Sequence, residues 1–95
     1  MADIFNSEGA KLLIDALLSL KTKEECQAFL EDALTTKEII DLGQRMVVAK
    51  LLSEQTVYNK IAEETGASTA TISRVNRSYL YGRGGYQTVL GRVEK

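Results

Sequence analysis

Arg74 and Arg77 lie within a run of small and hydroxylated residues, ETGASTATISRVNRSYL at positions 64–80. Residues of these types can bind a polyanion, because arginine neutralises phosphates and Ser, Thr and Arg side chains hydrogen-bond to DNA bases. From position 65 to position 93 the chain has four arginines and no acidic residue. This composition favours non-covalent binding of a nucleic acid.

The chain contains few side chains that are suited to catalysis or metal binding. The chain has no histidine and a single cysteine, Cys26. Zinc sites and the usual Ser-His or Cys-His pairs are therefore excluded. Adjacent carboxylates such as Glu24 and Glu25 point about 100 degrees apart on a helix, which indicates a solvated face. We expect no catalytic residue, no metal site, no cofactor and no enzymatic activity.

The composition predicts one helical domain over residues 1–95. Of these, 44% are hydrophobic and 26% charged, and proline is absent, as expected for a folded, mostly helical chain. The net charge is minus five over residues 1–42 and plus four over residues 43–95. The lone cysteine and the lack of a signal-peptide pattern indicate the cytoplasm. The apolar run at 12–20 contains Asp15 and Ser19 and is too short to span a bilayer, so we expect no membrane partner.

Capping signals open the first two predicted helices. Asn6 or Ser7 can cap a first helix that runs to about Leu20. Thr22, followed three residues later by Glu25, forms a capping-box pattern for a second helix that ends near Ala33.

A third and longest helix is predicted from about Thr36 to Leu52, opened by the same pattern at Thr35 and Glu38. Its apolar residues surround much of the axis, so we expect it to be central and buried on several sides. The first and third helices carry more apolar surface than a monomer of this size covers, which favours a homodimer. Residues 1–53 would then form the core and the dimer contact; a compact monomeric bundle is the alternative.

A helix-turn-helix is predicted over residues 56–81. Thr56 is expected to cap a short helix at about 57–65 and Gly66 to end it. Ser68 caps a second helix at about 69–81. Two short helices joined by a three- to four-residue turn that contains Gly are typical of this motif.

The second helix of the motif has two different faces. Ile72, Val75 and Tyr79 recur at helical spacing and form its inner stripe. The opposite face is small, hydroxylated and positive. It consists of Ala70, Ser73, Arg74, Arg77 and Tyr81. Such a face suits insertion into the major groove of DNA.

The stretches LTTKEIIDLGQRM and NKIAEETGASTATISRVNRS resemble the Trp repressor family, and the full length is similar to its YerC/YecD type. The resemblance implies an all-helical, intertwined homodimer with a Trp repressor-like bundle. Trp repressor is itself a standard helix-turn-helix example, in which two such units read successive major grooves. The expected partner is therefore double-stranded DNA.

The resemblance also implies particular DNA contacts. It transfers DNA-contacting positions to Asn59, Thr69, Ala70, Thr71 and Ser73. The helical wheel independently selects Arg74 and Arg77. Lys60 and Arg83 are further candidates for phosphate contacts, and the helix start at Ser68 offers backbone donors to a phosphate.

A possible effector pocket follows from the resemblance as well. Its positions match Thr35, Arg45, Arg74 and Ser78. Trp repressor carries glycine where this chain has Val75, and a branched side chain there takes space that an indole needs. Overpacking by a few atoms costs about 1 to 3 kcal/mol. We expect that L-tryptophan does not bind, and the sequence names no other effector.

Residues 82–95 begin within the segment YGRGGY, which has two interpretations. It is either a hinge that carries Arg83 to the DNA backbone or a flexible joint to a short terminal helix.

The sequence as a whole predicts a sequence-specific DNA-binding transcriptional regulator, with repression as the first expectation. The alternative is a helical protein-interaction module that does not bind DNA.

Overall fold

The computed structural model describes residues 2–93, and every regular element in that range is a helix. The chain divides into two compact units, Met1–Thr35 and Thr36–Lys95. The elements in order are a 3-10 turn Ala2–Asn6, α1 Glu8–Ser19, α2 Lys23–Ala33, α3 Thr36–Ser53, α4 Tyr58–Thr65, α5 Thr69–Tyr81 and α6 Gly85–Val93.

Local caps define both helices of the N-terminal unit, as the sequence predicts. The Ser7 hydroxyl oxygen accepts the Ala10 N–H at 3.1 Å and so caps α1. Thr22 Oγ1 accepts the Glu25 N–H at 3.1 Å and caps α2. The Glu25 carboxylate in turn accepts a hydrogen bond from the Lys21 N–H at 2.8 Å. In a standard capping box it would accept from the N–H of the cap residue, which here is Thr22. Each cap satisfies donors that a helix start leaves unpaired.

Between residues 3 and 35, the N-terminal unit shows no buried core of its own. No residue of α1 or α2 is buried. Two leucines of α1 are among the most exposed apolar side chains, Leu12 at 68% and Leu18 at 79%. Contact with another apolar surface would stabilise such side chains, because it would remove them from water.

The hydrophobic core lies in the C-terminal unit, and α3, α4, α5, α6 and the turn before α5 all contribute to it. Its buried members are Val48, Ala49, Ile61, Ala67, Ile72, Val75 and Leu90. Ile61, Ile72 and Val48 are fully enclosed. These side chains hold α5 against α3 and α4, and they include the inner-stripe residues Ile72 and Val75 predicted from the sequence.

The expected burial of α3 on several sides is wrong for the single chain. Only Val48 and Ala49 are buried, whereas Ile40 is 64% and Val47 48% exposed. The physical reason is that, within the C-terminal unit, the neighbours of α3 are α4, α5 and α6, and their core covers one side of it.

The start of α4 differs from the prediction. Val57, not Thr56, is the N-cap residue, and its side chain makes no capping bond. The backbone N–H of Thr56 donates instead to the Leu51 carbonyl at 3.0 Å, in the turn that ends α3. Gln55 in this turn has a positive φ of 64°. The turn therefore uses Thr56, and α4 begins with Tyr58.

The turn between α4 and α5 has the predicted form. Gly66 adopts the left-handed conformation, φ 74° and ψ 5°, and its N–H donates to the Ala62 carbonyl, an arrangement that glycine tolerates best. Ser68 then caps α5 through the Thr71 N–H at 3.1 Å. Gln44 of α3 donates its side-chain amide to the Thr65 carbonyl at 3.1 Å, so α3 also fixes the end of α4.

A glycine-rich joint connects α5 to α6. Gly82 caps α5, and a Cβ at this position would collide with the Ser78 carbonyl oxygen. The side-chain amide of Gln87 in α6 donates to the Tyr79 carbonyl of α5, and Leu90 is buried in the core. The terminal helix α6 therefore packs against α5 and the core.

Candidate nucleic-acid interface

The face of α5 opposite the core is exposed and carries short polar or cationic side chains. Ile72 and Val75 on the inner face are buried. The exposed residues of this face are Thr69, Ala70, Ser73, Arg74 and Arg77, with the aromatic Tyr81 at its carboxyl end. This division follows from helical periodicity. Successive residues are rotated by about 100° around the helix axis, so each residue's position in the sequence decides which face it lies on. The exposed face offers small side chains for close approach and two guanidinium groups for anions.

Among residues 2–93, no acidic side chain forms an ion pair with the arginines of this face. The sequences of α5 and α6 contain no Asp or Glu. Within residues 2–93, none of Arg74, Arg77 and Arg83 takes part in an ion pair. Guanidinium groups that are not engaged in ion pairs can form bidentate hydrogen bonds to phosphate.

The amino end of α5 is partly used by its own cap. Ser68 is exposed, and its hydroxyl donates to Thr71 Oγ1 at 3.1 Å while accepting the Thr71 N–H. Thr71 is half-buried, unlike Thr69 and Ala70 in the same turn. The side chains best placed to meet a ligand in front of the helix are therefore those of Thr69, Ala70 and Ser73.

On α4 the two predicted contact residues are both exposed. Asn59 lies at its first turn. The Lys60 ammonium lies 3.5 Å from the Glu64 carboxylate, with side chains 62% and 45% exposed. Exposed pairs of this kind contribute about 1 kcal/mol or less, so a phosphate can replace Glu64 at little cost.

Three of the four predicted effector-pocket residues line a common cleft of about 100 Å³: Arg45 from α3 and Arg74 and Ser78 from α5. Thr71, Val75 and Tyr86 complete its lining. Thr35 belongs to the N-terminal unit, and its part in this pocket stays a prediction.

Two lining residues of this cleft, Thr71 and Tyr86, were not predicted. Thr71 was detectable, because Thr71, Arg74, Val75 and Ser78 follow the i, i+3, i+4, i+7 spacing of one helix face. Tyr86 had no local signal, since its place depends on how the glycine joint turns α6.

A wider and more apolar groove of about 570 Å³ shares Ser78 and Tyr86 with the cleft. Met46 of α3 and Val89 of α6 line it as well. Arg83 is exposed and lines this groove, so its position differs from that of the α5 arginines.

No helix between residues 2 and 93 combines the length and apolar character of a membrane span. No group of three or more His, Cys, Asp or Glu in that range is placed to hold a metal ion.

Comparison with known proteins gives a consistent result. The profile of the family described as Trp repressor protein matches residues 8–94. The protein YerC of Bacillus subtilis (strain 168) is 51% identical over 83 residues, which cover 87% of this chain and 80% of YerC.

Solved structures agree with this match. A TrpR-like protein from Eubacterium eligens ATCC 27750 has a TM-score of 0.89 at 50% identity, covering 95% of this chain and 93% of that one. A structure from Staphylococcus aureus has a TM-score of 0.88 at 42% identity, covering 99% and 95%. The helical order, the turn at Gly66 and these similarities together show that the chain belongs to the Trp repressor protein family.

Proposed function

We propose that this protein is a sequence-specific regulator of transcription that binds double-stranded DNA as a homodimer and represses by occupying an operator. The observation that carries the proposal is the exposed, acid-free face of α5, whose inner side is anchored in the core. Membership of the Trp repressor protein family supports it.

The dimensions of α5 suit the major groove. A helix with its side chains is about 10–12 Å across, and the groove of B-DNA is about 12 Å wide. Short side chains at Thr69, Ala70 and Ser73 let the helix approach base edges, and Thr71 contributes from the cap. We assign base reading to these four residues.

The flanking polar and cationic residues are assigned to the DNA backbone. Phosphate contacts set the register of a protein on the duplex without reading the sequence. These residues are Asn59, Lys60, Ser68, Arg74, Arg77 and Arg83.

The dimer is proposed from apolar surface left exposed by the single chain. Leu12 and Leu18 of α1 and Ile40 of α3 are each more than 60% exposed, at 68%, 79% and 64%. A second copy of the chain can cover such surfaces through a two-fold axis. Two copies of α5 would then read half-sites one DNA turn apart, about 34–36 Å.

A salt titration tests the proposal. Genomic DNA fragments bound to the protein are selected, and the affinity for the selected fragment is measured at increasing salt concentration. Each neutralised phosphate contributes a slope of about minus 0.9 to log K against log salt, so six contacts predict a loss of about a thousandfold between 50 and 200 mM. An affinity that does not respond to salt, or no bound DNA at all, would contradict the proposal.

A second candidate function is a helical protein-interaction module. The observation that favours it is the same exposed apolar surface of α1, read as a docking face for a different protein. Apolar docking responds little to salt. A salt-insensitive protein partner combined with absent DNA binding would favour this alternative.

A further inference from the structure

Tyr81, the last residue of α5, differs in its surroundings from the other tyrosines of the chain. Tyr58, Tyr79 and Tyr86 pack against the hydrophobic core. Tyr81 is 82% exposed, and no other large apolar or aromatic side chain between residues 3 and 93 is more exposed. Its hydroxyl group makes no hydrogen bond within the part of the chain that the structure describes. The ring and the hydroxyl are therefore both available to a partner.

Tyr81 extends the exposed face of α5 to the end of the helix. At about 100° per residue, Tyr81 lies about 180° around the axis from the buried Ile72. Ala70 and Arg77 point within about 40° of the same direction. Tyr81 is therefore in line with residues to which the proposed function assigns DNA contacts.

The rise of the helix determines which part of a DNA duplex Tyr81 can reach. Ala70 and Tyr81 are separated by about 16.5 Å along the axis, at about 1.5 Å per residue. The major groove of B-DNA is only about 12 Å wide. When the first turn of α5 contacts base edges, Tyr81 reaches the sugar-phosphate backbone that borders the groove. Tyrosine hydroxyls are among the side-chain groups that hydrogen-bond to backbone phosphates.

The charges near Tyr81 favour a phosphate at this end of α5. The carboxyl end of a helix carries about half a negative charge, which by itself disfavours an anion. Arg77, one turn earlier, and Arg83, two residues later, each supply a full positive charge. The sequence has no acidic residue between positions 65 and 93. The two arginines therefore outweigh the helix dipole.

We infer that Tyr81 is a further DNA-contacting residue, whose hydroxyl donates a hydrogen bond to one backbone phosphate. The inference rests on the proposed function and adds to it a contact without charge. A phenol is uncharged at neutral pH, so it binds a phosphate without the release of a counterion that accompanies binding by arginine. The contact strengthens binding to every DNA sequence and leaves the salt dependence of binding unchanged.

The first experiment uses Tyr81→Phe, which removes the hydroxyl and keeps the ring. Fluorescence anisotropy measures the affinity of the full-length protein for the selected fragment and for a scrambled fragment at increasing salt concentration. Tyr81→Phe should weaken binding to both fragments by an equal factor of at least about ten, the scale of one hydrogen bond to a charged group. The slope of log K against log salt should stay at the wild-type value, whereas Arg77→Ala should make it shallower by about 0.9 per chain.

Tyr79→Phe is the matched control. It removes the same hydroxyl from the inner face of α5, where Tyr79 packs against the core. DNA affinity should be unchanged in this variant. An equal loss in both variants would overturn the inference, because the exposed position would then have no special role.

A second measurement locates the phosphate. A series of selected fragments carries an uncharged methylphosphonate in place of one phosphate at a time. At one position in each half-site the replacement should weaken binding by the wild type and weaken binding by Tyr81→Phe much less, since the variant has already lost that hydrogen bond. A series in which every position affects both proteins equally would overturn the inference.

The remaining outcomes separate this contact from the proposed function. Steep, salt-dependent binding by the wild type with unchanged affinity in Tyr81→Phe would remove the Tyr81 contact and leave the proposed function intact. Absence of DNA binding by the wild type would overturn both. A changed sequence preference in Tyr81→Phe would also overturn the phosphate contact, since phosphate contacts carry no sequence information.

Two checks concern the structure of the variant. Tyr81 is 82% exposed, so Tyr81→Phe should preserve the fold, which circular dichroism measures. If this variant does not fold, Tyr81→Leu provides a second side chain without the hydroxyl and should show the same loss of affinity. Light scattering should give the variant the mass of the wild type. A lower mass would place Tyr81 in a contact between subunits and overturn the inference.

Discussion

Arg74 belongs to two places at once, the exposed face of α5 and the lining of the 100 Å³ cleft. A substitution of Arg74 therefore changes both the proposed DNA contact and the lining of the cleft, and its effect cannot be assigned to either alone. Arg77 and Arg45 separate the two roles. Arg77 is exposed on the helix face and does not line the cleft, and Arg45 lines the cleft from a different helix.

Exchange of Arg77 for alanine should weaken binding to every DNA sequence. The guanidinium is expected to neutralise one phosphate in each chain, so its loss should make the slope of log K against log salt shallower by about 0.9 per chain. Fluorescence anisotropy with the selected fragment and with a scrambled fragment measures both quantities. Arg92→Ala provides the matched control on α6. Unchanged affinity in Arg77→Ala would remove this residue from the interface.

Free L-tryptophan should produce no saturable heat on titration into the wild-type protein at millimolar concentration. Val75 is 3% exposed and lines the cleft together with Tyr86. Its branched side chain takes space that an indole needs, and overpacking by a few atoms costs about 1–3 kcal/mol. Isothermal titration calorimetry measures the outcome, with titration into buffer as the blank. A clear one-site isotherm would show that the cleft opens to admit an indole.

At the scale of elements, three local features fix the position of α5: a cap, buried side chains and a glycine turn. Ser68 caps its start, Ile72 and Val75 anchor its inner face, and Gly66 turns the chain before it. The hydrogen bond from Gln44 to the Thr65 carbonyl also ties the turn to α3. The exposed face is therefore presented by a preformed support, as a recognition surface requires.

Gly66→Ala should destabilise the fold, because Gly66 has a φ of 74° and a Cβ in this conformation costs about 1–2 kcal/mol. Open space surrounds the position, so the cost comes from the backbone and not from a clash. Gly91→Ala is the matched control. It lies in helix α6 with nothing near its added Cβ, and it should stabilise the protein by about 0.5–1 kcal/mol. Urea unfolding measures both changes, and equal signs would contradict the argument.

At the scale of the whole molecule, the distribution of apolar surface is the main feature. The seven buried residues of the core all lie in the C-terminal unit. The N-terminal unit leaves the α1 leucines Leu12, Leu13, Leu17 and Leu18 exposed. A small chain gains stability by covering such surface, and association is one way to do so.

Light scattering after size exclusion should give a mass of twice the 10.5 kDa chain. Leu18→Glu places a charge on the 79% exposed position of α1 and should shift the mass towards the monomer. Val57→Glu adds the same charge at the 68% exposed N-cap of α4 and should remain dimeric. A wild-type monomer, or dissociation in both variants, would contradict a dimer built on α1.

Much of the fold was readable from the sequence where the signals were local. The caps at Thr22 and Ser68 and the glycine at position 66 set α2, α5 and the turn before α5, since each acts through backbone groups within a few residues. The two faces of α5 followed from periodicity alone. Thr56 shows the limit of such signals, because the turn after α3 engages its N–H with the Leu51 carbonyl and the helix starts later.

The sequence by itself determined the helical class, the helix-turn-helix and the cationic face of α5. The tertiary structure decided the rest. It left α3 half-covered, engaged Thr71 in the cap, and joined Arg45, Arg74 and Tyr86 from three helices around one small cleft. The physical reason is range: caps and periodicity act within one or two helical turns, whereas a cleft and its volume depend on how separate helices pack.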